Sequence, residues 1–352
     1  MKTFFKIGLI IAFTASLLIS CSKEKLINEG STDRDIIAAT YDGNSHLARY
    51  KFPTGTKISD DLFYQSNHSY ISANKVANIR LFLKYIFLCV PDDYKIYIID
   101  KNNFTSVATI DFSQEQLMPT DIAFANATEG YAIFKNTPKV ALIDVYYFKL
   151  AKMIDVKDIA SSISAVGNQI FVAIPLQNDV SIIDSRIHDV VQDISVDNRP
   201  YLLYPNIDGK DMNVVTAGFG KIPGDPNNAL SKPTLNIIDV QSRSIASSNL
   251  IDPPKADLTQ ELPSSFIVTN NDWGFLITQN YLIRIDTRNP QYAIRIEQYT
   301  YGGLYHNNIY NELYVLDNKD ANTSVIRALD PITGKKLNYI NISLPVLTYS
   351  TY

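Results

Sequence analysis

A short apolar strand that ends in aspartate, turns, and leads into a second apolar strand recurs along most of this 352-residue chain. It reads Lys95–Asp100 (KIYIID) then Ser106–Asp111 (SVATID), and Val140–Asp144 (VALID) then Ala151–Asp155 (AKMID). It returns at Val180–Asp184, Leu235–Asp239, Tyr281–Asp286 and Val325–Asp330. A seventh, degenerate copy lies upstream, where Tyr50–Gly55 (YKFPTG) aligns with Leu329–Gly334 (LDPITG) and Lys51 takes the place of the aspartate. Successive marks are 49, 44, 40, 55, 47 and 44 residues apart. A period of roughly 40–50 residues matches one four-stranded propeller blade. A single blade cannot bury both of its faces, whereas a closed ring leaves only short, protected edges. Seven marks therefore predict an all-β chain folded as a seven-bladed β-propeller of four-stranded blades.

Between the marks the chain alternates Val/Ile/Tyr/Phe-rich runs of strand length with clusters of Asn, Asp, Gly and Pro, and a helical apolar period is almost absent. The ends of the chain complete the count. Only one strand, Ile36–Tyr41, precedes the first mark, where the other blades have two. Beyond the outer strand of the last blade, Leu337–Ser343, the chain continues through Leu344–Tyr352 (LPVLTYSTY), an apolar segment suited to be the missing innermost strand. The ring is thus expected to be closed by the C-terminal strand pairing with the N-terminal blade. A carboxylate at the same turn of nearly every blade is expected to brace that turn through backbone amides.

The first twenty residues read as a leader: Lys2 and Lys6 precede an apolar run, Ile7–Ile19, too short to span a bilayer. The run ends in Leu18-Ile19-Ser20-Cys21, which resembles the lipobox cut by the lipoprotein signal peptidase. That resemblance implies residues 1–20 as a lipoprotein signal peptide and Cys21 as the acylated first residue of the mature chain. Two or more acyl chains anchor stably where one binds marginally. A plain signal peptide or an N-terminal anchor helix is the alternative. Residues 21–35 are polar and charged, reading as a lipidated flexible tether, and residues 36–352 form the propeller domain. Lys23-Glu24 loosely resembles the short charged signal that sends some Gram-negative lipoproteins to the outer surface, which implies an outer-membrane, cell-surface location.

With 32 basic against 36 acidic residues, a net charge of −4 and no Lys/Arg-rich block, nucleic acid is not an expected partner. Once Cys21 is acylated, Cys89 alone remains, and its apolar stretch marks it as a buried strand residue. His46, His68, His188 and His306 stand singly, without zinc-ligand spacing. No nucleophile elbow or phosphate loop occurs, and Asp317–Asn322 (DNKDAN) lacks the glycine and distal glutamate of a calcium loop. No catalytic residue, metal or cofactor is expected. Propeller hydrolases and lyases gather acid and base groups around the axis from different blades, where sequence spacing is silent, so an enzyme stays as a competing class.

Asn168–Asp184 (NQIFVAIPLQNDVSIID), followed by Asp197–Pro200 (DNRP), resembles the YVTN or YncE-like propeller repeats, whose blades read strand, Asn-rich turn, V-x-V-I-D, strand and a Pro-containing approach to the next blade. The resemblance covers Ile36–Tyr352. Phe63–Asn67 (FYQSN) and Ala217–Lys221 (AGFGK) are similar to segments of the lipidated surface propellers that capture cobalamin beside a TonB-dependent transporter, the BtuG type.

Four strands per blade put the loops between middle strands, and those between blades, on one face. The longest is Thr216–Pro233, well beyond the roughly two to five residues of a hairpin connection, and it reads as a binding element or a tolerated insertion. With Phe219 in that loop, the face is expected to carry Tyr64, Asn67, His68, Tyr94, Arg199, Tyr201, Tyr299, Tyr301, Tyr305 and His306. This aromatic and polar set suits a flat, partly apolar ligand; packing at loop bases is the competing reading. Trp273, the single tryptophan, falls at an inner turn on the opposite face and is expected to pack. The expected function is a lipid-anchored cell-surface protein that captures a small ligand for a TonB-dependent transporter, the ligand being cobalamin or a related nutrient by resemblance. The alternatives are a non-catalytic protein–protein scaffold at the cell envelope and, third, a propeller hydrolase or lyase.

Overall fold

Alternation along the middle strands decides the architecture. In Tyr85–Val90, Ile86, Leu88 and Val90 are buried against one neighbouring sheet, while Phe87 and Cys89 are buried against the other. In Gln169–Ile174, Ile170, Val172 and Ile174 face one way, and Phe171 and Ala173 face the other. Successive side chains of a strand point to opposite faces, so a strand that is apolar at every position needs a sheet on both sides. The outer strands differ: Ser106–Asp111 and Lys149–Asp155 are mostly exposed.

A computed structural model describes residues 34–52, 54–227, 229–289, 292–298, 302–307, 311–318 and 323–351. The leader, the tether up to Asp33 and the expected lipidation site Cys21 lie outside the described residues, as do Tyr299 and Tyr301. The propeller forms one compact unit, Arg34–Tyr352. It consists of seven antiparallel four-stranded sheets. Blade 2, from inner to outer strand, is Asn78–Phe82, Tyr85–Val90, Lys95–Asp100 and Ser106–Asp111. Blades 3 to 7 follow in chain order.

Blade 1 is composite. Its inner strand is Val346–Thr351, followed outward by Arg34–Tyr41, Ser45–Phe52 and a short Lys57–Ser59. The closing register pairs Ile36 with Thr351, Ala38 with Tyr349 and Thr40 with Val346. The C-terminal strand closes the ring, as the missing-strand count predicts.

The repeated aspartates brace their turns. Asp144 Oδ1 accepts the amides of Tyr146 and Tyr147, Asp286 Oδ1 those of Arg288 and Asn289, and Asp330 Oδ1 those of Ile332 and Thr333. Asp100, Asp184 and Asp239 each take at least one amide in the same way. Four residues on, Phe104, Phe148, His188, Arg243 and Gly334 hold positive φ, as Gly55 does four residues after Lys51. Every third-to-outer strand pair also carries a register shift, which strengthens the right-handed twist a propeller blade needs. Cys89 is buried and unbonded, and burial pushes its thiol pKa up.

The first-to-second and third-to-outer turns of each blade meet at one end of the ring, where Val145 N donates to Thr128 O and Ser185 N to Asn168 O. This is the turn end; the other is the loop end. Trp273 lies at the turn end, its ring 4.4 Å beneath the Arg284 guanidinium, so it packs as expected.

Deleting Pro345–Tyr352 removes a ladder and two buried side chains, Val346 and Tyr349, and leaves blades 1 and 7 with exposed apolar faces. The truncated chain is expected to lose more than about 10 °C of melting temperature in a calorimetric scan. An unchanged melting temperature refutes the closure argument.

Candidate functional site

The inner strands enclose an axial cavity of about 670 Å³ to whose wall all seven blades contribute. Several polar groups in this wall join neighbouring inner strands. Ser161 Oγ donates to Tyr201 O at 2.8 Å, Leu203 N donates to Ser162 Oγ at 3.2 Å, and Leu304 N donates to Ser265 Oγ at 3.1 Å. Tyr349 Oη donates to Tyr314 O at 2.8 Å, tying the closing strand to blade 7. Gly302, with φ +145°, admits no side chain: a Cβ would sit 1.6 Å from Leu316 O.

What remains is chemically specific. Arg80 of blade 2 forks onto Asp121 of blade 3, Nε to Oδ1 at 2.9 Å and Nη2 to Oδ2 at 2.7 Å. The Arg80 side chain stays 45% exposed against 14% for Asp121, so the arginine is the more accessible partner of the pair. The Asp121 charge raises the Arg80 pKa further, so this cation is permanent. Tyr204 and Tyr305 line the same cavity, and neither phenol has a hydrogen-bond partner among the described residues. Burial raises the Tyr204 pKa while the Arg80 charge draws it back, which places the two within electrostatic reach. His306 is buried in the wall, its Nε2 3.2 Å from Asn311 Oδ1. Ile79, Leu81, Leu203 and Phe266 supply apolar wall. Among the described residues no group of three or more His, Cys, Asp or Glu is placed to hold a metal.

The residues singled out from sequence are dispersed. Tyr305 and His306 belong to an inner strand, Leu304–Asn307, and line the axis; they are not loop residues. The segment holding Tyr64, Asn67 and His68, expected as a loop on the face, instead forms a short helix, α1 (Leu62–Asn67). Its Leu62 and Phe63 fill the wedge between blades 1 and 2, where the outer strand of blade 1 is only three residues long. Asn67 Nδ2 donates to Phe104 O at 2.9 Å and Asn67 Oδ1 accepts from Ser106 N at 2.8 Å, so Asn67 reaches the turn end of blade 2. His68 caps the helix in the left-handed region, exposed to solvent. The helix escaped the sequence reading because six residues show no apolar period; Asp61, whose Oδ1 accepts the Phe63 and Tyr64 amides, was the available signal. Tyr64 packs at a tilt on Tyr70, ring centroids 4.9 Å apart, and Tyr70 meets the His46 ring edge-on at 5.3 Å. Tyr94 closes a 3-10 turn, Pro91–Asp93, and packs on the core between blades 2 and 3. Tyr201 lies at the loop end of the inner strand Pro200–Pro205, where burial raises its pKa.

Arg199 is buried and holds the long loop in place. Its Nη2 and Nε fork onto Asp225 at 2.6 and 3.1 Å, its Nη1 donates to Asn178 Oδ1 at 3.0 Å, and its guanidinium lies 5.1 Å from the Phe219 ring. Asp225 also accepts the amides of Gly220 and Asn227. Lys221 Nζ donates to the Leu258 and Glu261 carbonyls, each at 2.9 Å, and burial lowers its pKa to about 8. The described residues of Thr216–Pro233 therefore form a structured flap, bound to Arg199 and to the connection between blades 5 and 6, with Gly218 where a Cβ would meet Ser231 O at 2.3 Å.

Both side chains of the Arg199–Asp225 pair are almost wholly buried. Arg199→Met leaves Asp225 buried without its cation and is expected to cost about 3–5 kcal/mol by denaturant titration. The Asp225 carboxyl is held down at about 2 against an ordinary 3.8. A depressed carboxyl contributes fully above its unfolded value, so this stabilisation is complete above about pH 4 and is lost as pH falls toward 2. Asp225→Asn is expected to flatten that part of the acid limb; an acid limb identical to wild type contradicts the assignment.

Among solved structures, hydrazine synthase of Kuenenia stuttgartiensis matches with a TM-score of 0.60 at 15% identity, over 71% of this chain and 75% of that one. The Pan2 WD40 domain of Neurospora crassa matches with a TM-score of 0.56 at 12% identity, over 85% of this chain and 90% of that one. No protein-family model matches the chain, and no curated protein matches it. At such identities the likeness is one of fold: this chain is a seven-bladed β-propeller closed by its own C-terminal strand.

Proposed function

We propose that this protein is a non-catalytic, lipid-anchored binding protein of the cell surface that captures a small ligand in its axial cavity and passes it to a TonB-dependent transporter. The observation that carries the binding reading is the cavity: about 670 Å³, within the roughly 300–1,000 Å³ of small-molecule sites, with a permanent cation and two phenols that have no hydrogen-bond partner among the described residues, set in a wall of mixed polar and apolar groups. Arg80, already oriented by Asp121, can offer its remaining N–H groups to an anionic or carbonyl oxygen of the ligand. Tyr204 and Tyr305 supply flat apolar faces with a hydroxyl each. The cobalamin and transporter part of the reading rests on the sequence resemblance, and a body larger than the cavity would sit across its mouth with one arm inside.

Calorimetric titration with cyanocobalamin, followed by a small glycan panel, tests both levels. Binding by either is expected, and Arg80→Gln is expected to weaken it about 10- to 100-fold through loss of charge-assisted bonds. The double variant Arg80→Gln/Asp121→Asn separates this from the cost of an unpaired carboxylate. Binding that the Arg80 variants leave untouched removes the cavity from the mechanism, and no heat from any ligand defeats the capture reading.

A further inference from the structure

Six large apolar side chains among the described residues are more than half exposed: Leu83, Tyr146, Tyr147, Ile187, Ile207 and Tyr292. All six sit in first-to-second or third-to-outer turns, at the turn end of the ring. At 50%, Ile332 joins them there, and Leu250 lies at the loop end. The turns do not need these side chains. Tyr146 and Tyr147 are held through their amides by Asp144, while their rings, edge-to-face at 4.8 Å, stand in solvent. Single exposed apolar residues are ordinary on a protein surface, but here the most exposed ones share one end of the ring.

We propose that the turn end of the propeller rests on a lipid bilayer, with these side chains entering its interface. The proposal builds on the reading of Cys21 as the anchor. The propeller begins at the turn end, because Arg34 opens the second strand of blade 1 opposite Phe52. Cys21 and Arg34 are thirteen peptide steps apart, a length of chain that spans at most roughly 45 Å. A tethered surface meets the bilayer at high effective concentration, so shallow insertion of separate tips is enough. The flanking cations suit an interface, where a lysine can bury its stem and keep its ammonium in water: Lys149 Nζ lies 5.1 Å from the Tyr147 ring and Lys84 Nζ 5.3 Å from the Tyr85 ring. Two arginines of this end are paired, Arg186 with Asp184 and Arg288 with Asp272, and the turn aspartates add negative charge there, so apolar insertion rather than attraction to anionic lipid carries the contact.

Trp273, at a turn of the same end, is the reporter. The full chain, made in a host that acylates lipoproteins, is reconstituted on phosphatidylethanolamine–phosphatidylglycerol vesicles with plain or brominated acyl chains. Flotation reads the anchor, and quenching of Trp273 emission reads the docking. The chain is expected to float, with emission about twofold lower on brominated vesicles. Tyr146→Ser/Tyr147→Ser/Ile187→Ser is expected to float, melt as wild type and recover most of the emission. Flotation without quenching, or quenching that the triple variant retains, overturns the docking and leaves the anchor standing. Failure to float overturns the anchor and the docking with it. Self-association of the wild type that the triple variant loses assigns the surface to a second copy and equally overturns bilayer contact.

Discussion

Apolar burial between neighbouring blades is the contact on which everything else in this molecule depends. No blade has a core of its own: the clusters pair Phe87, Cys89 and Ile98 of blade 2 with Phe134, Ala141 and Ile143 of blade 3, and Ile36, Tyr50 and Phe52 of blade 1 with Tyr314, Ile326 and Ala328 of blade 7. The driving force is the removal of both sheet faces from water, about 25 cal/mol per Å² of apolar surface. It is satisfied only when each blade has two neighbours, which makes the ring obligatory. The outer strands, flanked by solvent, alternate instead and carry the charges.

The same constraint explains why the candidate site lies on the axis. Seven inner strands converge there, and their side chains meet across a cavity instead of across a sheet interface. Serines connect one inner strand to the next, and the Arg80–Asp121 fork does so with charge. At the loop end, Arg199 and Asp225 hold the longest loop in one conformation through a buried ion pair.

How much of this the sequence disclosed follows from which physical signals are periodic. The aspartate marks repeat at blade length because each braces the same turn, and they gave the fold and the blade count. The C-terminal strand was legible because a blade lacked a strand, and Cys89 because its neighbours are apolar at every position. Arg80, Asp121 and Tyr204 left no comparable trace. They come from three blades, more than forty residues apart, and nothing in their local sequence says that they share a cavity. Arg199 was noticed as a loop residue, but its partner Asp225 lies inside a loop with no repeat to fix its path. The helix that carries Asn67 is too short to show a period, which is why this segment was expected on the wrong surface.

Closure by the C-terminal strand also makes the wall of the axial cavity depend on that strand. Leu347, Thr348 and Tyr349 form part of the cavity wall, and Tyr349 reaches across to Gly303 and Tyr314 of blade 7. A chain that stops short, or has lost its end to a protease, retains six whole blades and still has an open wall. An enclosed axial cavity is thus a property of the closed ring alone, and the loss of one inner strand opens it.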